Sequence, residues 1–399
     1  MKIQGIHFRN HKVLKNLKID FTYNGKVRDL TVIAGANGSG KTNILRYIYD
    51  YFNNQGYYNY LKESINIYYE EEEKKLFDRL EGSFFDALKI FEWYKNQNSN
   101  DNSFLEVKNN LKILPKIIYI PTEINFQNIT TQTNMLKREY NFLNIVDSNL
   151  ISNIASYIAT RITYISNTEE DLTGKQVREK VAQEINGVFE ILDLDIKFVG
   201  VSRDERSLPI FANSLGEEFD INDLSSGEKQ LFIRTLAIKM LEPENSILLI
   251  DEPEISLHPK WQQKIIEVYK RIGKNNQIIV ATHSPHILGS VKKEEIILLV
   301  RGENKEIEVF DSQELNSSLG QTTDRILEEI MGLESTRNPE IYKKIVRLRE
   351  LVDAGLYEEE EFQKLFKELR EILGDLDDDL ILIQMDIKLK KKQLEKKSE

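Results

Sequence analysis

Lys41 and Thr42 close the octet Gly35-Ala-Asn-Gly-Ser-Gly-Lys-Thr42, whose spacing GxxxxGK[ST] suits the gripping of a polyphosphate. Its glycines let successive backbone N–H groups turn towards one anion, and a helix starting there adds the positive end of its dipole. Asn37, Gly38, Ser39, Gly40, Lys41, Thr42 and Asn43 are therefore the candidate nucleotide contacts. The lysine would reach β- and γ-phosphates, and the threonine hydroxyl would ligate magnesium. The elements needed to hold such a loop flank it. Apolar Leu30-Thr-Val-Ile-Ala34 predicts a buried strand before it, and Asn43-Ile-Leu-Arg-Tyr-Ile48 predicts a helix after it. The expected ligands are a nucleoside triphosphate and Mg2+.

Three further segments place polar groups at the ends of apolar elements. Leu224-Ser-Ser-Gly-Glu-Lys-Gln230 precedes Leu231, Phe232, Thr235, Leu236 and Ile238, which recur at helical spacing. Asp223 or Ser225 would cap that helix, with Glu228 completing a capping box with Ser225. Ser246-Ile-Leu-Leu-Ile-Asp-Glu-Pro253 predicts a strand ending in two carboxylates. Gln277-Ile-Ile-Val-Ala-Thr-His283 predicts a second strand ending in a histidine. Phosphoryl transfer asks mainly for positioning and charge neutralisation, and these groups could supply both.

In this order the four motifs resemble the ATP-binding-cassette class of ATPases, in its non-transporter branch. The resemblance implies an α/β head with a mixed sheet around the phosphate loop. It assigns Asp251, with Thr42, to magnesium, Glu252 to the attacking water, and His283 to the γ-phosphate or that water. It also implies that Ser225, Ser226, Gly227 and Glu228 complete the γ-phosphate site of a second protomer, so that ATP joins two heads. Ser226 stands where transporters carry the first glycine of LSGGQ, and Glu228 stands in place of its glutamine, a form similar to the SMC-like and OLD-like branch. Ser256, Leu257 and His258 are candidate contacts between heads, with a local cap as the other role for His258. Arg9 and Asn10 are candidate adenine or ribose contacts. Pro115–Thr122 predicts a core strand, after which the family places a polar magnesium contact. Here Thr122 and Glu123 follow, with Gln127 farther on.

The 399-residue chain is 40% hydrophobic and 30% charged, as expected of a globular protein with roughly two domains' worth of length. No apolar run approaches ~18 residues, so no membrane span is expected. The opening residues predict a strand rather than a signal peptide, and a cytoplasmic protein is expected. The absence of cysteine excludes disulfides and thiol chemistry, and five scattered histidines form no metal motif. The net charge of −11 argues against a generally basic nucleic-acid surface, though not against a local groove.

An ATPase head is expected over residues 1–322, with strands at about 2–9, 14–22 and 28–35. Helical insertions are expected at 51–110 and about 136–193, with strands at 195–204 and 207–221. The signature and carboxylate lobe follows at 223–310, ending in a hairpin of 296–300 with 307–310. A C-terminal helical interaction region is expected over 323–399. Its apolar stripes are Ile341, Ile345, Leu348 and Val352; then Phe362, Leu365, Phe366, Leu369 and Ile372; then Leu380, Ile383 and Ile387. Such short helices bury little alone, so packing on the head, a second protomer or a partner is expected. Asp375-Leu-Asp-Asp-Asp379 is expected to be a helix cap, and the following lysine run a solvated helix end.

The distance from Lys41 to Leu224 argues against a transporter motor. No long heptad arms mark an SMC repair ATPase, and the tail is too short for the TOPRIM domain of an OLD-type nuclease. The whole chain, including Leu319–Gly332 and the helical tail, resembles the ATPases of Septu-type anti-phage systems (PtuA) and their retron-linked relatives. That resemblance implies an ATP-hydrolysing regulatory subunit, a homodimer or higher homo-oligomer joined through its heads. It also implies a separate HNH nuclease partner (PtuB-like), through which nucleic acid would be met. The alternative is an SMC-like repair or chromosome-maintenance ATPase acting directly on DNA.

Overall fold

A computed structural model describes residues 1–9, 11–53, 65–68, 115–124, 141–202, 208–302, 304, 306–311 and 313–398. The chain divides into two compact units, Met1–Ile326 and Leu327–Glu399.

The first unit opens with β1 (Lys2–His7), β2 (Lys18–Asp20), β3 (Thr22–Tyr23), β4 (Lys26–Val27) and β5 (Leu30–Gly35), followed by the helix Lys41–Asn53. Next come β6 (Ile65–Tyr68), β7 (Ile117–Ile120) and β8 (Leu143–Ile145). The helices Ile154–Thr168 and Gly174–Phe189 then lead to β9 (Lys197–Val201), β10 (Pro209–Ala212) and β11 (Glu218–Asp220). After the helix Ser226–Met240, β12 (Ile247–Asp251), β13 (Gln277–Thr282), β14 (Ile296–Arg301) and β15 (Ile307–Phe310) complete the unit. Among the described residues the main sheet runs β15-β14-β5-β13-β12-β7-β8. All neighbours are parallel except the β14–β15 hairpin. Every residue of β5, β7, β12 and β13 is buried. This explains their unbroken Ile, Leu and Val runs, since a parallel sheet is covered on both faces. The mixed sheet expected from the motifs is present. Three smaller antiparallel sheets, β2-β1-β6, β11-β10-β9 and β3-β4, accompany it among the described residues.

Two helical expectations need correction. Within 51–110 the first helix ends at Asn53, and the described residues Ile65–Tyr68 form a strand antiparallel to β1. Ile65 is buried and Ile67 half-buried while Asn66 and Tyr68 are exposed. This period of two was hidden in polar, helix-favouring surroundings. The remainder of that insertion, with its polar loop near 96–102, lies outside the described residues. The segment expected to be helical from about 136 contains β8, which pairs in parallel with Ile117–Tyr119 before the helices begin. The strand expected at 14–22 begins only at Lys18 and breaks at Phe21, giving Lys18–Asp20 and then Thr22–Tyr23. The residues before it form a turn closed by reciprocal His11–Lys15 backbone bonds, with Lys15 at φ 47°.

The second unit contains helices Pro339–Asp353, Glu360–Leu373 and Asp378–Ser398. Against expectation, they bury a core of their own, built on Ile345, Leu348, Leu351, Val352, Phe362, Leu369, Leu380 and Ile383. Ile372, expected on the second stripe, is exposed. The acidic cluster caps as expected: Asp377 Oδ1 accepts from the Asp379 and Leu380 amides. Arg337 bridges Asp377 at 2.8 Å and Asp379 at 2.7 Å.

Candidate active site

Four strands deliver the candidate site to one edge of the sheet. β5 ends in the phosphate loop, β13 in His283, β12 in Asp251 and Glu252, and β7 just before Thr122. The loop's shape demands glycine at two points. A side chain at Gly35 would meet the Leu299 carbonyl at 2.5 Å, and one at Gly40 (φ 93°) would meet Leu14 at 2.5 Å. The turn that follows Arg9 thus packs on the loop. Arg9 itself is exposed, with its Nε 3.5 Å from His7 Nδ1, and Asn10 lies outside the described residues. Asn37 and Gly38 are exposed at the loop's crest, Ser39 is buried, and Thr42 and Asn43 are half-buried in the first helical turn.

Lys41 is buried, and its Nζ donates to the Gly35 carbonyl at 2.8 Å and to that of Ala36 at 3.2 Å. Burial lowers its pKa, against the opposing pull of Glu252, Glu254 and Asp251. The Thr42 hydroxyl donates to Asp251 Oδ1 at 3.1 Å. Asp251 is 1% exposed, and its Oδ2 has no hydrogen-bond partner among the described residues. Burial raises its pKa, opposed by the Thr122 and Thr42 hydroxyls. A buried carboxylate oxygen left without a donor is costly, and it fits a divalent cation held jointly with Thr42. Such an ion would neutralise charge on the β- and γ-phosphates.

Glu252 adopts φ 44°, in the left-handed region, while its amide still bonds the Ala281 carbonyl of β13 at 2.8 Å. The strand is thereby held to its last residue and then turned sharply. Glu252 Oε1 stands 3.0 Å from His283 Nδ1. A carboxylate only accepts, so the imidazole donates this bond from Nδ1. The chain thus pairs the two residues expected to act on water and γ-phosphate.

Two buried residues not anticipated from sequence hold this edge together. Glu254, 5% exposed, accepts at Oε1 from the Thr282 hydroxyl at 2.6 Å and from the His283 amide at 3.0 Å. Thr282 Oγ1 in turn accepts from the Ser284 amide at 2.9 Å. Burial raises the pKa of Glu254, against the hydrogen bond from Thr282. Arg234, on the signature helix and 2% exposed, donates from Nη2 to the carbonyls of Pro121, at 3.2 Å, and Thr122. Its Nε bonds Gln230 at 3.1 Å. The sequence held a signal for each: a second carboxylate two residues beyond Glu252, and an arginine among the apolar residues of the helix.

The signature forms the expected capping box. Ser225 Oγ and its amide contact Glu228 Oε2 at 2.5 and 3.1 Å, and the Glu228 amide donates back to Ser225 Oγ at 3.4 Å. Ser225 and Ser226 are exposed. Gly227 is buried against the Ser256 carbonyl, which a side chain would meet at 2.5 Å. Ser256 has φ 62°, and His258 caps the next short helix, its Nδ1 accepting from the Lys260 amide at 3.2 Å. Gln127 lies outside the described residues. No helix among them is long and apolar enough to cross a membrane.

With this geometry in view, a family model described as "AAA domain, putative AbiEii toxin, Type IV TA system" matches residues 30–289, from β5 to just past His283. The chain belongs to this AAA-domain family. It is an ATPase, with the phosphate loop near the start of the matched span and the carboxylate strand towards its end. The Septu protein PtuA of Bacillus thuringiensis is 27% identical over 390 residues, which is 92% of this chain and 91% of that protein. The retron Vc95 probable ATPase of Vibrio cholerae is 30% identical over 250 residues, covering 58% of this chain and 43% of its own length. Among solved structures, an SMC head bound to the C-terminal winged-helix domain of ScpA matches 78% of this chain and 98% of its own, at 15% identity and a TM-score of 0.42.

Proposed function

We propose that this ATPase is the regulatory subunit of an anti-phage defence system, in which two copies close on ATP and the closure controls a separate nuclease of HNH type. The defence role rests on the likeness to PtuA along nearly the full length of both chains. The paired mechanism rests on one observation above the rest. Gly227 is packed against Ser256, so the exposed signature serines and the segment after Glu252 form one joined surface. A helix N-terminus with exposed serines is suited to a phosphate delivered by another copy.

In this reading Asn37–Asn43 wrap the phosphates, and Lys41 leaves the Gly35 and Ala36 carbonyls for the β- and γ-oxygens. Thr42 and Asp251 would hold magnesium. Glu252 takes a proton from the attacking water, and His283 orients that carboxylate through Nδ1. Ser225, Ser226, Gly227 and Glu228 complete the partner's γ-phosphate site, with Ser225 exchanging its Glu228 contact for the phosphate. Arg9 and Asn10 contribute to the base or ribose side. Nucleic acid is met through the nuclease rather than by this chain, whose net charge is −11.

The test uses coexpression with the neighbouring reading frame, copurification, and plating of phage on cells carrying the pair. Ser225→Arg is expected to bind ATP as a single copy, to lose cooperative turnover and to lose protection. Undiminished protection by both Ser225→Arg and Lys41→Ala would remove nucleotide-driven closure from the mechanism. Copurification with repair proteins in place of a nuclease would favour direct action on DNA.

A further inference from the structure

The helix Asp378–Ser398 is apolar on two sides. One side, Leu380 and Ile383, is buried in the core of the second unit, with Ile387 half-buried beside it. The other side carries Leu382, Met385 and Leu389, which are 52%, 54% and 57% exposed. These three are spaced 3 and 4 apart, so they form a single stripe along the helix. Extended at the same spacing, the stripe begins at Asp378 and ends at Lys392, both exposed. Its length is about 21 Å at 1.5 Å per residue.

The charges at the ends are free for a partner. Three other charged groups of this helix are engaged within the unit: Asp379 with Arg337 and Arg349, Lys390 with the Val352 carbonyl and Asp353, and Lys391 with Glu358. Among the described residues, Asp378, Asp386, Lys388 and Lys392 make no such contact, and of these only Asp378 and Lys392 lie on the stripe. The stripe therefore reads acid, three apolar residues, base. Such a pattern complements itself only when reversed. Laid antiparallel about a two-fold axis at Met385, Leu382 meets the second copy's Leu389, and Asp378 meets its Lys392. A parallel arrangement would set Asp378 against Asp378 and Lys392 against Lys392.

We propose that this face binds a second copy of the chain, as an antiparallel helix pair centred on Met385. The contact is isologous, as a two-fold interface requires. It is smaller than the ~800 Å² per partner of a stable standard interface, and Asp386 would face its own copy beside the axis. A modest, nucleotide-independent affinity follows. It goes beyond the ATP-joined heads, because it needs neither the phosphate loop nor the signature. It would link copies whether or not ATP is bound.

The experiment uses the full chain without nucleotide, and again in a Lys41→Ala background, so that closure of the heads cannot contribute. The native chain has no cysteine, so Met385→Cys provides a single reactive site. A short bis-maleimide is expected to link Met385→Cys into dimers. Leu382→Cys and Leu389→Cys should link poorly alone and well when mixed. In sedimentation, Asp378→Lys is expected to weaken self-association about tenfold, as two pairings per dimer turn repulsive. The double variant Asp378→Lys with Lys392→Asp is expected to restore it. Equal self-linking at 382, 385 and 389 would overturn the antiparallel pairing. A chain that stays monomeric at tens of micromolar, with Met385→Cys unlinked, would overturn the proposal outright.

Discussion

The nucleotide edge of the first unit and the three-helix second unit treat polar groups in opposite ways. At the sheet edge, Asp251, Glu254 and Arg234 are nearly inaccessible, and each leaves one polar atom without a partner among the described residues. In the helical unit, charges lie largely at the surface and many are joined in exposed ion pairs. Arg347 bridges Glu361 at 2.8 Å and Glu350 at 3.1 Å, and Lys391 bridges Glu358 at 2.9 Å over the Tyr357 ring. Exposed pairs contribute little to stability because water and salt screen them. Buried groups with free valences cost stability, and such strain persists where a ligand completes it. The comparison therefore separates the part shaped for chemistry from the part shaped for solubility and contact.

The strongest way to break this contrast is at Glu252. Glu252→Gln is expected to lower kcat by roughly 10²–10⁴-fold, the usual range for losing a general base, while ATP binding persists and joined heads accumulate. Wild-type turnover in a steady-state phosphate-release assay would mean that the proton leaves by another route.

Glu254 sharpens the contrast between a group that reacts and one that positions. Glu254→Ala is expected to lower kcat roughly 10- to 100-fold with KM little changed, because His283 loses its anchor. Glu254→Gln keeps an acceptor for Thr282 and the His283 amide, so it should recover most of the rate. If Glu254→Gln is as slow as Glu254→Ala, the carboxylate does more than hold the loop.

Asp251 tests the cost side. Its pKa is raised by burial, so the folded, nucleotide-free protein binds its proton more tightly than the unfolded chain does. Stability then falls as pH rises from the ordinary carboxylate value through the raised one, and the penalty is complete above the raised value. Asp251→Asn is expected to raise Tm without nucleotide at pH 7, by an amount worth roughly 1–3 kcal/mol. The gain should shrink in melts at acidic pH, and magnesium-dependent stabilisation by ATP should be lost. A lowered Tm would show that the unpaired oxygen is not a burden.

The smallest effect belongs to the helical unit. Arg347→Ala removes two exposed ion pairs and is expected to leave Tm and ATP turnover unchanged. A clear drop in Tm would mean that this surface is buried in an assembly.

Much of the site could be read from the chain because its parts are local in sequence. A phosphate loop is one strand, one turn and one helix start, and its backbone requirements act on consecutive residues. The same holds for the Ser225–Glu228 capping box and for the lone Asp251-Glu252 pair at the end of an apolar run. The short strand at Ile65–Tyr68 was less legible, since its pairing with β1 comes from residues about sixty positions away. Propensity within a polar, helix-favouring stretch gave the opposite indication.

Sequence alone thus determined which residues are candidates for phosphate-handling chemistry and the local elements that present them, since hydrogen-bonding patterns within a turn depend only on neighbouring residues. Tertiary structure decided that β13 lies between the phosphate-loop strand and the carboxylate strand. It also decided that Glu254 seats His283, 29 positions on, and that Arg234 holds the carbonyls at 121 and 122, more than a hundred positions back. The second unit's own core was likewise a tertiary outcome, as three amphipathic stripes can close on one another or on a partner. These choices depend on which distant apolar faces and buried charges meet, and no local pattern encodes that.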